Sequence, residues 1–364
     1  MFLKNLLLLL LAIPTFFSCN SSVNKIFGTK KTPHEAYADR VDNNPAGKQW
    51  VDVSKKVLEA PQPIKLPLRL LGYFPAGKPR ALALTFFAKH GERINFDLSE
   101  TAGNSDVLYA DIYRWDGTAA VHVLAADTAL SFFGFDTEET GEYILRLQPE
   151  LEKTAAYSLS VSVAPSLGFP VSGNKARVGS VWGDSRDGGS RSHEGIDIFA
   201  ARLTPAIAAA DGYISRVNDG GLGGKTINLK VADRNLSLYY AHLDTQLVKE
   251  GQQVKKGDTL GLVGSTGNAS STSPHLHFGI YSYGGAIDPL PFVNKLIKTA
   301  PPPAAKNLTK QLTLTRAVKT KANQTIDANT ILIPLALTAE GYIGELPDGS
   351  IIQTSLKSVK AVKT

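Results

Sequence analysis

The sequence predicts a mainly β protein built from antiparallel sheets. Short runs rich in β-branched and aromatic residues recur between 62 and 164, among them ALALTFFA, RINFDLS and YSLSVSVA, and turn clusters such as ETAGNSD separate them. Residues 168–298 are rich in glycine and contain further strand-like runs, and ILIPLAL and SIIQTSL follow near the C-terminus. Regular short strands with turn signals between them are typical of β-sandwiches and small barrels.

Composition limits the class of protein. The 364 residues are enough for two or three domains, and 43% hydrophobic with 20% charged residues is typical of a globular chain. The net charge of +6 is spread along the sequence, whereas a nucleic-acid binder concentrates its positive charge in one patch. We therefore expect no nucleic-acid partner.

The first 19 residues predict an export signal. Met1–Cys19 contains one lysine, a leucine run and then the only cysteine of the chain, and the apolar run is short for a bilayer span. This segment resembles the signal peptides of bacterial lipoproteins, in which the cysteine is lipidated. The resemblance implies a lipid anchor at Cys19, attachment to a bacterial membrane, and residence in the cell envelope facing the periplasm.

The following segments are assigned in chain order. Residues 20–61 are polar and predict a flexible tether, and residues 62–164 predict a jelly-roll-like β-sandwich. A further β-domain follows over 168–298 and includes one short helix that begins at Pro291. Residues 300–306 read as a proline-rich linker. Residues 308–364 then predict a small barrel-like β-domain, for which a Src-homology-3-like fold is one candidate.

Histidines in the segment 168–298 are the strongest sign of chemistry. In a strand, side chains alternate between faces, so His275 and His277 of PHLHFGI point the same way. Two imidazoles on one face can share a metal, or one can bind metal while the other transfers a proton. His193 and His242 lie in similar strand-like surroundings, in SHEGID and YYAHLD.

Three of these side chains and one aspartate suit a catalytic metal. His193 and Asp197 are four residues apart, and the glycine between them argues against a helix, so both side chains can converge where a loop enters a strand. With one histidine of the HLH pair they supply two imidazoles and one carboxylate, which leaves the fourth position of zinc to water. His242 and the other histidine of the pair would then be free for proton transfer or oxyanion stabilisation.

The motifs SHEGIDI, YYAHL, VKKGDTLGLVGSTG and PHLHFGI, in that order, closely resemble the LytM/lysostaphin family of zinc endopeptidases, which cut bacterial cell-wall peptides. The resemblance covers residues 168–298 and implies an antiparallel β-sheet metallopeptidase domain with an open groove. It also implies peptidoglycan as substrate and one Zn²⁺ ion. The implied metal ligands are His193, Asp197 and His277, and the implied catalytic pair is His242 and His275.

Two alternatives to an active hydrolase follow from the same resemblance. Family members that have lost ligands act as amidase activators, but this chain retains every ligand, so we expect an enzyme. In the second alternative, the N-terminal sandwich covers the groove and inhibits the enzyme. Regulators in the envelope are expected partners in either case.

Overall fold

The computed structural model describes residues 31–100, 107–297, 299–303, 308–320 and 323–362. The predicted signal peptide with Cys19 lies outside the described residues, as do the first part of the predicted tether and residues 304–306 of the predicted linker. Within the described ranges, no helix is both long and apolar enough to cross a bilayer.

The N-terminal part begins with helices and continues with strands. In chain order they are α1 (Pro33–Val41), α2 (Pro45–Lys56), β1 (Gln62–Pro63), β2 (Leu68–Phe74), β3 (Leu82–Ala88), β4 (Glu92–Glu100), β5 (Leu108–Trp115), β6 (Ala120–Ala125), β7 (Phe132–Asp136), β8 (Gly141–Pro149) and β9 (Ala155–Pro165).

Helices α1 and α2 differ from the flexible tether predicted over 20–61. Thr32 and Glu35 form a reciprocal capping box at the start of α1, and the Asn44 side chain caps α2 by accepting a hydrogen bond from a backbone amide. A proline stands in the first turn of each helix, where its missing N–H costs no hydrogen bond. These local signals fix two helices in a stretch whose composition is polar.

Packing of α2 against the sandwich supplies the remaining reason. Trp50 is 1% exposed, and its indole Nε1 donates a hydrogen bond to the carbonyl of Pro149 at 2.8 Å. Val57 packs beside Ala83 and Ile144 on the outer face of the sheet. Burying an indole of this size favours a docked helix over a mobile tether.

The sandwich consists of two facing sheets. One sheet has the order β1-β3-β8-β5-β6, and the other contains the path β2-β9-β4-β7. All of these pairs are antiparallel except β1 with β3. The core between the sheets is formed by inward-facing apolar side chains, among them Phe74, Phe86, Phe96, Leu145 and Tyr157.

The central segment, residues 168–297, forms a separate antiparallel sheet. Its elements are β10 (Arg177–Ser180), β11 (Ser185–Arg186), β12 (Arg191–Ser192), β13 (Ile196–Phe199), β14 (Pro205–Ile207), β15 (Gly212–Asp219), β16 (Lys225–Val231), β17 (Ser237–Gln246), β18 (Gln253–Val254), β19 (Thr259–Val263), β20 (His275–Ser282), β21 (Gly285–Ile287) and α3 (Leu290–Val293). The main path of the sheet is β10-β13-β20-β17-β16-β15-β18. The helix predicted from Pro291 is thus a single turn.

Alternation along two neighbouring strands separates the core from the opposite face. Ile196 and Ile198 of β13, and Leu276 and Phe278 of β20, are completely buried in the core of the central segment. The residues between them therefore point to the other face of the sheet, and these include the predicted site residues of both strands.

The C-terminal part extends the sandwich. Its strands are β22 (Leu312–Leu314), β23 (Val318–Lys319), β24 (Thr325–Ile326), β25 (Ile331–Thr338), β26 (Gly341–Glu345), β27 (Ile351–Ser355) and β28 (Val359–Ala361).

Strand β25 pairs with β2 of the sandwich, and β22, β26, β27 and β28 belong to the same larger sheet. Strands β23 and β24 form a separate two-stranded sheet, and the described C-terminal strands close no barrel of their own. Leu335, Ala336 and Ile343 enter the sandwich core. The predicted independent barrel-like unit over 308–364 thus differs from the structure. A segment this short buries too little apolar surface alone, and pairing with β2 supplies the missing surface.

The sandwich and the central segment meet at Phe292. Gly91 has φ +91°, and a Cβ built on it would lie 2.3 Å from the Phe292 ring, so glycine permits the close approach. Across the same junction the amide of Leu167 donates to the carbonyl of Phe292 at 2.8 Å, and Arg234 forms an ion pair with Asp136 at 3.4 Å.

Candidate metal centre

Three side-chain atoms converge on the face of the central sheet opposite its core. Nδ1 of His277 lies 3.0 Å from Oδ1 of Asp197, and Nε2 of His193 lies 3.1 Å from the same oxygen and 3.0 Å from Nδ1 of His277. Tetrahedral zinc ligands at about 2.0–2.2 Å from the metal lie roughly 3.3–3.5 Å from one another. The triangle is therefore close to the size that one zinc ion requires, and the donor set fits a metal site.

Strand register brings two of these ligands together. Asp197 of β13 lies directly opposite His277 of β20. Gly195 comes just before β13, and a Cβ there would lie 2.7 Å from Cε1 of His277. Only glycine at this position lets the imidazole come close to the backbone of the loop that carries His193.

The orientation of His193 is fixed by its other ring nitrogen. Nδ1 lies 2.9 Å from the carbonyl oxygen of Val181, which can only accept, so Nδ1 carries the proton. Nε2 then presents its lone pair to the cluster, as a metal ligand must. His193 is 4% exposed, so this orientation is held by its surroundings.

Arg186 holds the second oxygen of Asp197. Its Nη2 donates to Oδ2 at 2.8 Å and also to Oγ of Ser180 at 2.6 Å. Burial alone would raise the pKa of Asp197, but the contacts of the carboxylate with His193 and His277 outweigh burial and hold the pKa well below its usual range. Sequence reasoning did not find Arg186, because only the hairpin of β11 and β12 brings it to the site.

His242 reaches the site through a bulge in β17. Simple alternation would point it to the core with Leu238 and Tyr240, but its backbone has φ +62° and the pairing register shifts around it. The bulge instead places its ring 5.1 Å from the ring of His275 and 5.9 Å from that of His277. Histidine is one of the residue types that tolerate this left-handed backbone.

His242 and His275 present the same nitrogen to the groove. Nδ1 of His242 lies 2.9 Å from the carbonyl of Thr266, and Nδ1 of His275 lies 2.9 Å from the carbonyl of Ser273. In the neutral ring Nδ1 therefore carries the proton and Nε2 is the acceptor. Burial lowers the pKa of His242 to about 4, which keeps its ring neutral at neutral pH.

The structure thus brings all five predicted site residues of the central segment into one cluster. His193, Asp197 and His277 supply the converging atoms, and His242 and His275 stand beside them. The division into metal ligands and catalytic groups stays a prediction, as does lipidation of Cys19.

Comparisons with known proteins locate a family match on this segment. The model of peptidase family M23 matches residues 191–289. Over 216 residues the chain is 30% identical to the uncharacterized lipoprotein YgeR of Escherichia coli (strain K12), which covers 57% of this chain and 80% of that protein.

Other curated relatives match shorter lengths of this chain. The L-Ala–D-Glu endopeptidase of Bacillus subtilis (strain 168) is 37% identical over 124 residues, 31% of this chain and 38% of that protein. The murein hydrolase activator NlpD of E. coli is 39% identical over 102 residues, 28% of this chain and 26% of that protein. The chain spans about a quarter to two fifths of the length of such curated relatives.

The catalytic domain of lysostaphin from Staphylococcus simulans is 35% identical, with 33% of this chain and 92% of that domain covered and a TM-score of 0.30.

Proposed function

Because this chain belongs to peptidase family M23, the family of LytM and lysostaphin, we propose that it is a zinc-dependent endopeptidase of peptidoglycan. It would hydrolyse peptide bonds in stem peptides or cross-bridges. The observation that carries the proposal is the triangle of His193, Asp197 and His277 donor atoms, 3.0–3.1 Å apart, beside two further imidazoles.

His193, Asp197 and His277 would hold the ion, and bound zinc supplies the Lewis acidity that polarises a scissile carbonyl and acidifies water. Nε2 of His242 and Nε2 of His275 are the proton acceptors of this groove. One would accept the proton of the attacking water at Nε2 and return it to the leaving amine, and the other would take a proton from bulk water at Nε2 and donate that N–H to the oxyanion. The symmetry of their hydrogen bonds leaves the division between them open.

The name of the B. subtilis relative supports a peptide bond of the cell wall as the target. The signal-like Met1–Cys19 and the lipoprotein YgeR support an envelope location, with the chain anchored by lipid at Cys19 and facing the periplasm. Peptidoglycan would then be its main partner, and envelope regulators are further candidates.

An activator role is the second candidate, because the murein hydrolase activator NlpD is 39% identical to this chain over 102 residues. Retention of all three ligand residues and both neighbouring histidines favours the enzyme. Self-inhibition by the sandwich has less support. Among the described residues, none of the hydrogen bonds, ion pairs or ring contacts made by the five site residues comes from residues 32–164.

The test uses residues 20–364 incubated with intact sacculi, with and without a zinc chelator. Mass spectrometry of the released fragments identifies new peptide ends. New ends that disappear with chelator, and that return when zinc is restored, would establish the endopeptidase and the bond it cuts. Zinc-loaded protein that releases no new ends, yet stimulates a separate amidase on the same sacculi, would establish the activator instead.

A further inference from the structure

A pocket of about 500 Å³ opens beside the candidate metal centre, at the β10 edge of the central sheet. We call it the basic pocket, and its lining includes Lys175, Arg177, Gly179, Phe199, Ser273 and Pro274. None of these residues is among the five of the metal centre, and sequence reasoning assigned nothing to them.

The basic pocket continues the groove at His275. Phe199 lies directly opposite His275 in the strand register, and the two rings are 5.1 Å apart. Ser273 and Pro274 lead into His275, and the Ser273 carbonyl is the oxygen that accepts from its Nδ1. A peptide bound with its scissile bond beside His275 therefore has this pocket as its next surface.

The charge of the basic pocket is positive and unopposed. Arg177 lies opposite Phe199 in the register, and its guanidinium carbon is 5.9 Å from the Phe199 ring. Lys175 and Arg177 are exposed, and within the described residues neither forms an ion pair with a carboxylate. The lining contains no acidic side chain.

The aromatic contact also restricts Arg177. The guanidinium carbon is within the range of a cation–π contact with the Phe199 ring, and the planar guanidinium can donate two hydrogen bonds to one carboxylate. Gly179 contributes by its size, because a Cβ there would lie 2.6 Å from the Phe199 ring and would displace it.

We propose that the basic pocket binds a carboxylate of the peptide substrate, a few residues from the bond that is cut. This proposal rests on the proposed function. It narrows the substrates from stem peptides or cross-bridges to acidic stem peptides. An extended peptide advances about 3.3–3.6 Å per residue, so two to three residues span the distance from His275 across Phe199 to Arg177. A chain of neutral residues would leave both cations without a partner.

The test compares two forms of one substrate, a purified cross-linked muropeptide dimer with free carboxylates and the same dimer with its carboxylates amidated. We expect the wild-type protein to cleave the acidic form with a kcat/KM about five- to tenfold higher, because the contact forms between solvent-exposed charges and is worth about 1 kcal/mol. The double variant Lys175→Gln/Arg177→Gln should bring this ratio close to one, and Arg177→Glu should favour the amidated form.

Lys249→Gln is the matched control, because Lys249 is an exposed cation that follows β17, toward the β15 edge of the same sheet. It removes one charge and should keep the wild-type preference. Equal cleavage of both forms by the wild type would contradict carboxylate binding in the basic pocket, but it would still support the endopeptidase activity.

Cleavage of neither form would instead count against the endopeptidase activity. A binding measurement would then test whether the basic pocket recognises a carboxylate. Titration of the zinc-loaded protein with each dimer should still show tighter binding of the acidic form. That difference should vanish in the double variant. Equal binding of both dimers by the wild type would overturn the proposal.

Discussion

Arg186 donates a hydrogen bond to Oδ2 of Asp197 at 2.8 Å, while Oδ1 of the same carboxylate faces His193 and His277 within 3.1 Å. The two oxygens therefore have separate tasks, and the carboxylate cannot rotate without losing an ion pair. Such outer partners fix the orientation of metal ligands and raise affinity without touching the metal.

Replacing Arg186 should weaken the metal site. We expect Arg186→Ala to lower zinc affinity by roughly 10- to 100-fold, because the Asp197 carboxylate loses the partner that orients it. Arg186→Lys should lie between, since an ammonium lacks the planar fork. Competition with a chelator measures the affinity. Arg216→Ala removes an exposed arginine of β15 and should change nothing, and equal affinities in all three variants would contradict the assignment.

The predicted division of the histidines is testable by metal content. His277→Ala should lose zinc, because one corner of the ligand triangle disappears, whereas His242→Ala should retain it. Loss of a proton-transfer group should then lower kcat of His242→Ala by about 10²- to 10⁴-fold. Elemental analysis of dialysed protein gives the stoichiometry. Equal zinc content in the two variants would show that the roles are assigned wrongly.

Gly195→Ala should disturb the metal centre through its backbone neighbour. The added Cβ would lie 2.7 Å from both Cε1 of His277 and the carbonyl oxygen of Phe278, and neither can move freely. We expect reduced zinc content and a loss of about 1–3 kcal/mol in the free energy of unfolding. Gly284→Ala, where the nearest atom is 4.0 Å away, is the control. Similar zinc content in both variants would contradict the steric argument.

Trp50→Ala tests whether α2 is part of the folded protein. Removing a side chain that is 1% exposed should lower the free energy of unfolding by roughly 3–5 kcal/mol. Trp115→Ala removes the same kind of side chain where it is 41% exposed, and it should cost much less. Denaturant unfolding followed by circular dichroism measures both. If replacing Trp50 changed the free energy of unfolding little, the result would favour the flexible tether that the sequence predicted.

His34 should make stability depend on pH. Burial lowers its pKa to about 4 from 6.5, so the unfolded chain binds a proton that the folded chain refuses. Its contribution is therefore complete above pH 6.5 and is lost as the pH falls toward 4. Between pH 7 and 5 the loss is about 2 kcal/mol by linkage. His34→Gln should reduce this pH dependence, whereas parallel stability curves for the two proteins would exclude His34 as its source.

Sequence reasoning located the site well because its signals are local. The spacing of His193 and Asp197, and the two-residue period of His275 and His277, translate directly into one face of adjacent strands. His242 was predicted as a proton-transfer candidate from its strand-like surroundings, but alternation alone would have placed its side chain in the core. Its position depends on a bulge, and no residue pattern in one strand specifies where a bulge lies.

The predictions of a flexible tether and of an independent C-terminal barrel differ from the structure for the same reason. Both segments pack against strands that are distant in the sequence. Thr32 and Glu35, with a proline between them, are a capping signal that the sequence displays. The polar composition outweighed this signal, because the strands that receive Trp50, which carry Tyr109 and Pro149, lie far along the chain. The prediction for the C-terminal strands was wrong for a similar reason, since nothing in the sequence near ILIPLAL indicates that this strand pairs with β2.

Because β2 pairs with β25, the segments before and after the central segment form one domain. The central segment is therefore an insertion within that domain. The sandwich core also contains Leu335, Ala336 and Ile343. These residues are synthesised after the whole inserted domain, so the core stays incomplete until then. A chain cut short before residue 331 would leave the edge of β2 open to other strands. The sandwich can therefore be completed only after the inserted central segment and β25 have both been synthesised.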